Sequence, residues 1–182
     1  ASLSNRRDSR QTGGMSETCP PDLIALAHRL ADASGPVIRA YFRRPLRVDD
    51  KADASPVTAA DREAEQAIRD ILSAARPDDG IIGEEFGNTD TGSEYVWVID
   101  PIDGTKSFIT GRPIFGTLIA LVRNGTPVLG IIDQPVNGER WIGATGHQAL
   151  FNGAPIGVRD CPALADAVAG TTAADLFEPR QA

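Results

Sequence analysis

Phe115-Gly-Thr-Leu-Ile-Ala-Leu-Val-Arg-Asn-Gly-Thr-Pro-Val-Leu-Gly-Ile-Ile-Asp133 decides the fold. Two apolar stretches, 115–122 and 127–133, flank Arg123-Asn124-Gly125-Thr126, and Asn-Gly supplies the positive φ angles of a tight hairpin turn. The same grammar extends outward. Strands are expected at Gly80–Gly83 and Tyr95–Ile99 upstream, and at Arg140–Ala144 and Gln148–Phe151 downstream, with Asn137-Gly138 and Asn152-Gly153 as turns. Consecutive, hairpin-linked strands predict a mainly antiparallel sheet. Val168–Thr172 is a further candidate strand opening.

The remaining elements precede the sheet. Leu23, Leu26, Ala27, Leu30, Val37, Ile38 and Tyr41 recur at helical spacing between Asp22 and Phe42, with Asp22 as N-cap candidate. Gly35-Pro36 is expected to kink or split this helix, because proline removes a backbone donor. A second helix is signalled from Thr58 to Ala75, with Thr58 as N-cap and Asp61 in a first turn that favours negative charge. The fold class is therefore α+β, with both helices on one face of the sheet.

Composition narrows the chemistry. With 182 residues and 41% apolar content the chain can bury a core. A net charge of −7 excludes a nucleic-acid binder, which needs clustered Lys and Arg. An acidic protein that handles phosphate would need a divalent cation between its carboxylates and that phosphate. Cys19 and Cys161 form no disulfide framework, so a reducing cytoplasm is expected. No apolar run is long enough to span a membrane. Residues 1–14 are polar and are expected to be a tag remnant or upstream extension before Met15.

Three acidic clusters stand out: Asp61, Glu84-Glu85, and Asp100-Pro101-Ile102-Asp103-Gly104-Thr105. If the strand ends at Ile99 and Pro101 fixes a turn, the Asp100 and Asp103 carboxylates and the Ile102 carbonyl can converge as hard oxygen ligands, and Glu84 can complete the cage. Gly104 would let a phosphate approach the backbone, and Thr105 would open a short helix facing it. Singly, each cluster reads as an Asx-turn, a helix cap or a solvated strand end. His28, His147, Trp97, Trp141 and Arg112 read as structural or surface residues.

Together, Gly83-Glu84-Glu85 followed by Trp97-Val-Ile-Asp-Pro-Ile-Asp-Gly-Thr105 resembles the inositol monophosphatase superfamily. That resemblance implies the layered αβαβα sugar-phosphatase fold, of which 15–160 would be the N-terminal metal-binding domain and 161–182 the start of a second α/β domain. It implies magnesium, with manganese as substitute, at Glu84, Asp100, the Ile102 carbonyl and Asp103. The implied catalytic set is Asp61, Thr105 and Glu84, the first two activating water, with phosphate at Gly104 and Thr105. Lys51 resembles a basic residue on a mobile metal-site loop.

The stretch from Gly104 to Leu121, with Ile132-Asp-Gln-Pro135 and Gly138-Glu-Arg-Trp141, is most similar to the histidinol-phosphatase branch. The expected partner is a small phosphorylated metabolite, with a second copy of the chain also a candidate. Inositol-1-monophosphatase, another sugar or nucleotide phosphatase, and a non-catalytic metal- or phosphate-binding remnant are the alternatives. The family's further Asp, in an aromatic-Asp-x-x-Ala context, is matched by neither Asp166 nor Asp175, so the chain is expected to stop before it and to be, by itself, an inactive fragment that can still gather a metal.

Overall fold

A computed structural model describes residues 18–45, 48–50 and 56–170. Lys51, Asp175 and the extension 1–14 lie outside the described residues, as does most of the 168–172 candidate strand; Val168–Gly170 have no regular structure.

Helix α1 runs from Pro21 to Tyr41 and α2 from Ala59 to Ala75. Between them β1 (Val48–Asp50) pairs antiparallel with β2 (Pro56–Thr58). Then follow β3 (Gly80–Gly83), β4 (Gly87–Thr89), β5 (Tyr95–Asp103), α3 (Thr105–Ile109), β6 (Gly116–Arg123), β7 (Thr126–Gln134), β8 (Glu139–Ala144), β9 (Leu150–Phe151) and β10 (Ala154–Pro155). The eight strands β3–β10 form one sheet in the order β10-β9-β8-β7-β6-β5-β3-β4.

Every pairing in that sheet is antiparallel except β3 with β5, which is parallel. The exception follows from β4, which folds back on the outer side of β3 and leaves its inner side to a strand of the same direction. The central hairpin forms as expected: Arg123 pairs with Thr126, and Asn124 and Gly125 take φ of 48° and 79°.

Alternation assigns the two faces. Trp97 and Ile99 on β5, Ile119 and Leu121 on β6, Leu129 and Ile131 on β7, and Ile142 on β8 join Leu23, Leu26, Leu30, Ile68 and Leu72 of the helices in one core. Both helices therefore cover the same face. Arg140 secures α1 to it, bridging Asp133 at 2.7 Å and Asp32 at 2.9 Å, with His28 Nδ1 3.3 Å from the guanidinium.

Three expectations need correction. Helix α1 is not split at Gly35-Pro36 but runs through it: Gly35 and Ile38 are buried against the fold, whereas Pro36 and Asp32, whose carbonyl the proline leaves without its helical donor, are exposed residues. The residue at its N-cap is Pro20, not Asp22, which sits in the first turn. And β5 does not end at Ile99 but continues to Asp103.

Candidate active site

The continuation of β5 places the acidic groups. Asp100 pairs with Leu118 and Asp103 with Gly116, so Pro101 and Ile102 together oppose the single residue Thr117. That two-against-one register is a β-bulge. In a regular strand residues three apart point to opposite faces; the extra residue restores the phase. Ile102 accordingly returns to the helix side, in a second core with Ile38, Ala60, Ala64, Phe108 and Phe115. Asp100 and Asp103 share the other side. The common side expected of Asp100 and Asp103 from a proline turn is thus produced by a bulge.

Glu84 arrives by register. Gly83 pairs with Ile99 in the parallel β3–β5 ladder, and the Glu84 N–H donates to the Ile99 carbonyl at 3.3 Å, so the next step sets Glu84 beside Asp100. The two carboxyls share a hydrogen bond, and the Ile102 N–H donates to Asp100. Burial, followed by the Glu84 contact and the Asp103 charge, pushes Asp100 up to about 8. Its Oδ1 is buried without a hydrogen-bond partner. A buried orphan oxygen beside a second carboxyl and a third negative charge suits a cation with hard oxygen ligands.

The cage is not fully drawn together. Among the described residues no group of three or more His, Cys, Asp or Glu side chains is gathered tightly enough to hold a metal ion by itself. Glu84 and Asp100 are in contact, whereas Asp103, exposed to solvent, acts on Asp100 through charge alone. Three carboxylates at one point repel, and burial together with the Glu84 contact already costs Asp100 its ordinary acidity.

Thr105 opens α3 after Gly104, whose φ of 93° is a left-handed conformation that costs glycine nothing. The Thr105 hydroxyl donates to the Ile102 carbonyl at 3.1 Å, which ties the helix start to the bulge. Asp61 is buried and closes a capping box: its Oδ2 accepts from the Thr58 N–H at 2.9 Å and from the Thr58 hydroxyl at 2.6 Å. Ala60 and Ala64, on the same turns of α2, pack against Ile102 and Phe108, so the start of α2 abuts the bulge and α3.

His147 is structural, its Nε2 lying 2.8 Å from the Cys19 carbonyl; Trp97 is fully buried, and Arg112 is exposed. Both cysteines are unpaired, Cys19 buried and Cys161 exposed. No helix among the described residues is long and apolar enough to cross a membrane.

One residue of the site escapes a motif search. Glu65 is wholly buried and accepts from the backbone N–H groups of Glu85 at 2.8 Å and Phe86 at 3.2 Å, and from Arg69 Nε at 2.8 Å. Its signal is an ionisable residue on the buried stripe Ala64, Ile68, Leu72, with Arg69 four positions on.

Comparison with known proteins agrees with this architecture. Residues 21–176 match the inositol monophosphatase family. The chain is 51% identical over 165 residues to the chloroplastic bifunctional phosphatase IMPL2 of Arabidopsis thaliana, covering 90% of this chain and 48% of that one. It is 48% identical over 139 residues to a histidinol-phosphatase of Chlorobaculum parvum, covering 76% and 53%. A solved inositol monophosphatase from Zymomonas mobilis is 57% identical and superposes with a TM-score of 0.67, over 78% of this chain and 55% of its own. The chain spans about half the length of the relatives it matches.

Proposed function

We propose, from the premise that this chain belongs to the inositol monophosphatase family, that it carries the metal-binding half of a magnesium-dependent phosphomonoesterase acting on histidinol phosphate. The observation that carries the reading is the buried, unpartnered Oδ1 of Asp100 beside Glu84. Glu84, Asp100, Asp103 and the Ile102 carbonyl would hold the ion, with manganese as substitute. Magnesium, when bound, would supply Lewis-acid polarisation of phosphate oxygens and lower the pKa of a bound water. Gly104 and Thr105 would seat the phosphate; the missing Cβ at Gly104 lets its left-handed turn pack against Phe115 and Ile114, where a Cβ would come within 3.3 and 3.4 Å. Thr105, anchored on the Ile102 carbonyl, would orient the attacking water, with Asp61 receiving its proton. Phosphate ester and water give the free alcohol and inorganic phosphate.

The similarity to histidinol-phosphatases supports the choice of alcohol, and the likeness to a solved inositol monophosphatase supports a second reading, inositol 1-phosphate. Two unpaired cysteines support a cytoplasmic setting. The partner in this reading is a small phosphorylated metabolite, with a homodimer as the assembly.

Phosphate release measured on both esters with magnesium, using a relative of full family length, decides between the readings. A higher kcat/KM for histidinol phosphate is expected. Preference for the inositol ester selects the second reading, and turnover of neither by the full-length protein, with metal still bound, identifies a non-catalytic binding module.

A further inference from the structure

Glu65 has no place in the metal cage or the proton path, yet its burial is complete and its carboxylate is fully engaged. Both of its oxygens point at one object, the loop that leaves β3: Oε2 takes the Glu85 N–H and Oε1 the Phe86 N–H. Arg69, one turn further along α2, neutralises the carboxylate through Nε and reaches past it to donate from Nη2 to the Gly87 carbonyl. The same guanidinium lies 5.9 Å from the centre of the Phe86 ring. Consecutive backbone groups at 85, 86 and 87 are thus held by two side chains of one helix.

The site of this clamp is reserved for it by sequence. A Cβ built on Gly83 would collide with the Glu65 carboxylate and the Arg69 guanidinium. Only glycine lets α2 reach under the end of β3. Glu84 stands between Gly83, which admits the clamp, and Glu85, which the clamp grips. On its other side it is held by its own N–H to Ile99. A backbone pinned on both flanks fixes the direction in which the Glu84 side chain leaves the chain, beside Asp100.

We infer that Glu65, backed by Arg69, is a positioning residue that presents Glu84 to Asp100 and so sets the affinity of the cation site. The inference rests on the metal-site reading above. Outer partners that orient a ligand typically contribute about ten- to a hundredfold in metal affinity.

The test uses the 182-residue chain and manganese alone, with binding measured by the loss of the free-ion electron paramagnetic resonance signal and amide exchange followed by NMR. Glu65→Gln keeps the volume but removes the charge and one acceptor. It should speed exchange at Glu85 and Phe86 and weaken manganese by about tenfold or more, with the circular dichroism of the wild type retained. Gln66→Ala, on the exposed side of the same helix, should change neither. Glu84→Gln reports on the site itself. If Glu84→Gln weakens binding while Glu65→Gln leaves it unchanged, positioning is overturned and the metal site stands. If neither variant alters manganese binding, the metal-site reading fails and the inference falls with it. Should Glu65→Gln not fold, Arg69→Gln carries the same measurement: unchanged exchange at Phe86 and unchanged affinity overturn the proposal.

Discussion

The Thr117 hydroxyl donates to the Pro101 carbonyl at 2.8 Å, with both residues buried. Thr117 is the one residue of β6 that faces two residues of β5, so this bond occupies the gap that the bulge opens in the ladder. It holds the backbone between Asp100 and Asp103 to the neighbouring strand, and the phase of the two carboxylates depends on it.

Thr117→Val keeps the shape and deletes the donor, leaving a buried carbonyl unsatisfied. A loss of about 1–3 kcal/mol is expected from urea titration, together with weaker manganese binding. Thr110→Val, whose hydroxyl bonds are exposed, should stay within about 0.5 kcal/mol of the wild type.

Asp100 sets a pH dependence whose sign is defined. Its pKa in the fold, about 8, lies above the ordinary 3.8. Between those values the native state holds a proton that the unfolded chain has released, so stability from this group is greatest at acid pH and falls until about pH 8. The Tm of the metal-free chain should therefore decline more steeply over that window than the Tm of Asp100→Asn. Magnesium should raise the wild-type Tm at pH 8 by mass action and leave Asp100→Asn unmoved. Parallel pH profiles for the two proteins would show that Asp100 keeps an ordinary carboxylate pKa in the fold.

These features differ in how far the sequence reveals them. Asn124-Gly125 and the Thr58 cap are legible because each is a local device, complete within four residues. The acidic triplet is legible as a motif, but its geometry is not. The bulge exists only in the register of β5 against β6, and Pro101 by itself suggests a turn. The parallel β3–β5 pair is hidden because it depends on which side of β3 is taken by β4, a strand too short and polar to show a pattern. Glu65 is half legible: its place on an apolar stripe marks it as buried, while its partners at 85 and 86 become neighbours only when α2 packs under β3.

Gly125 tests the local device. At φ 79° with open space where a Cβ would stand, Gly125→Ala meets no clash and only the left-handed backbone penalty. A loss of about 1–2 kcal/mol is expected. Gly92→Ala, equally open but outside the left-handed region, is the control and should be near neutral. Equal effects at the two positions would show that the hairpin turn tolerates a right-handed residue.

The face of the sheet away from the helices makes the last prediction. Leu118, Ala120, Ile132, Trp141 and Ile156 line an apolar groove there of about 400 Å³. Ile132 is 48% exposed and Ile82 37%. Alternation requires these side chains to point outward, because their neighbours Ile131, Ile119 and Ile142 already fill the helix-side core. Gly130 and Gly143 carry no side chain in the middle of the face and meet nothing that would occupy the space of a Cβ. Contiguous exposed apolar surface of this kind drives association in water. Sedimentation of the chain should therefore depend on concentration, with the average mass rising at higher loading. Ile132→Lys places a charge in the groove without entering the helix-side core, so it should return the chain to monomer while leaving its circular dichroism intact. Association that persists unchanged in Ile132→Lys would show that a different surface holds the copies together.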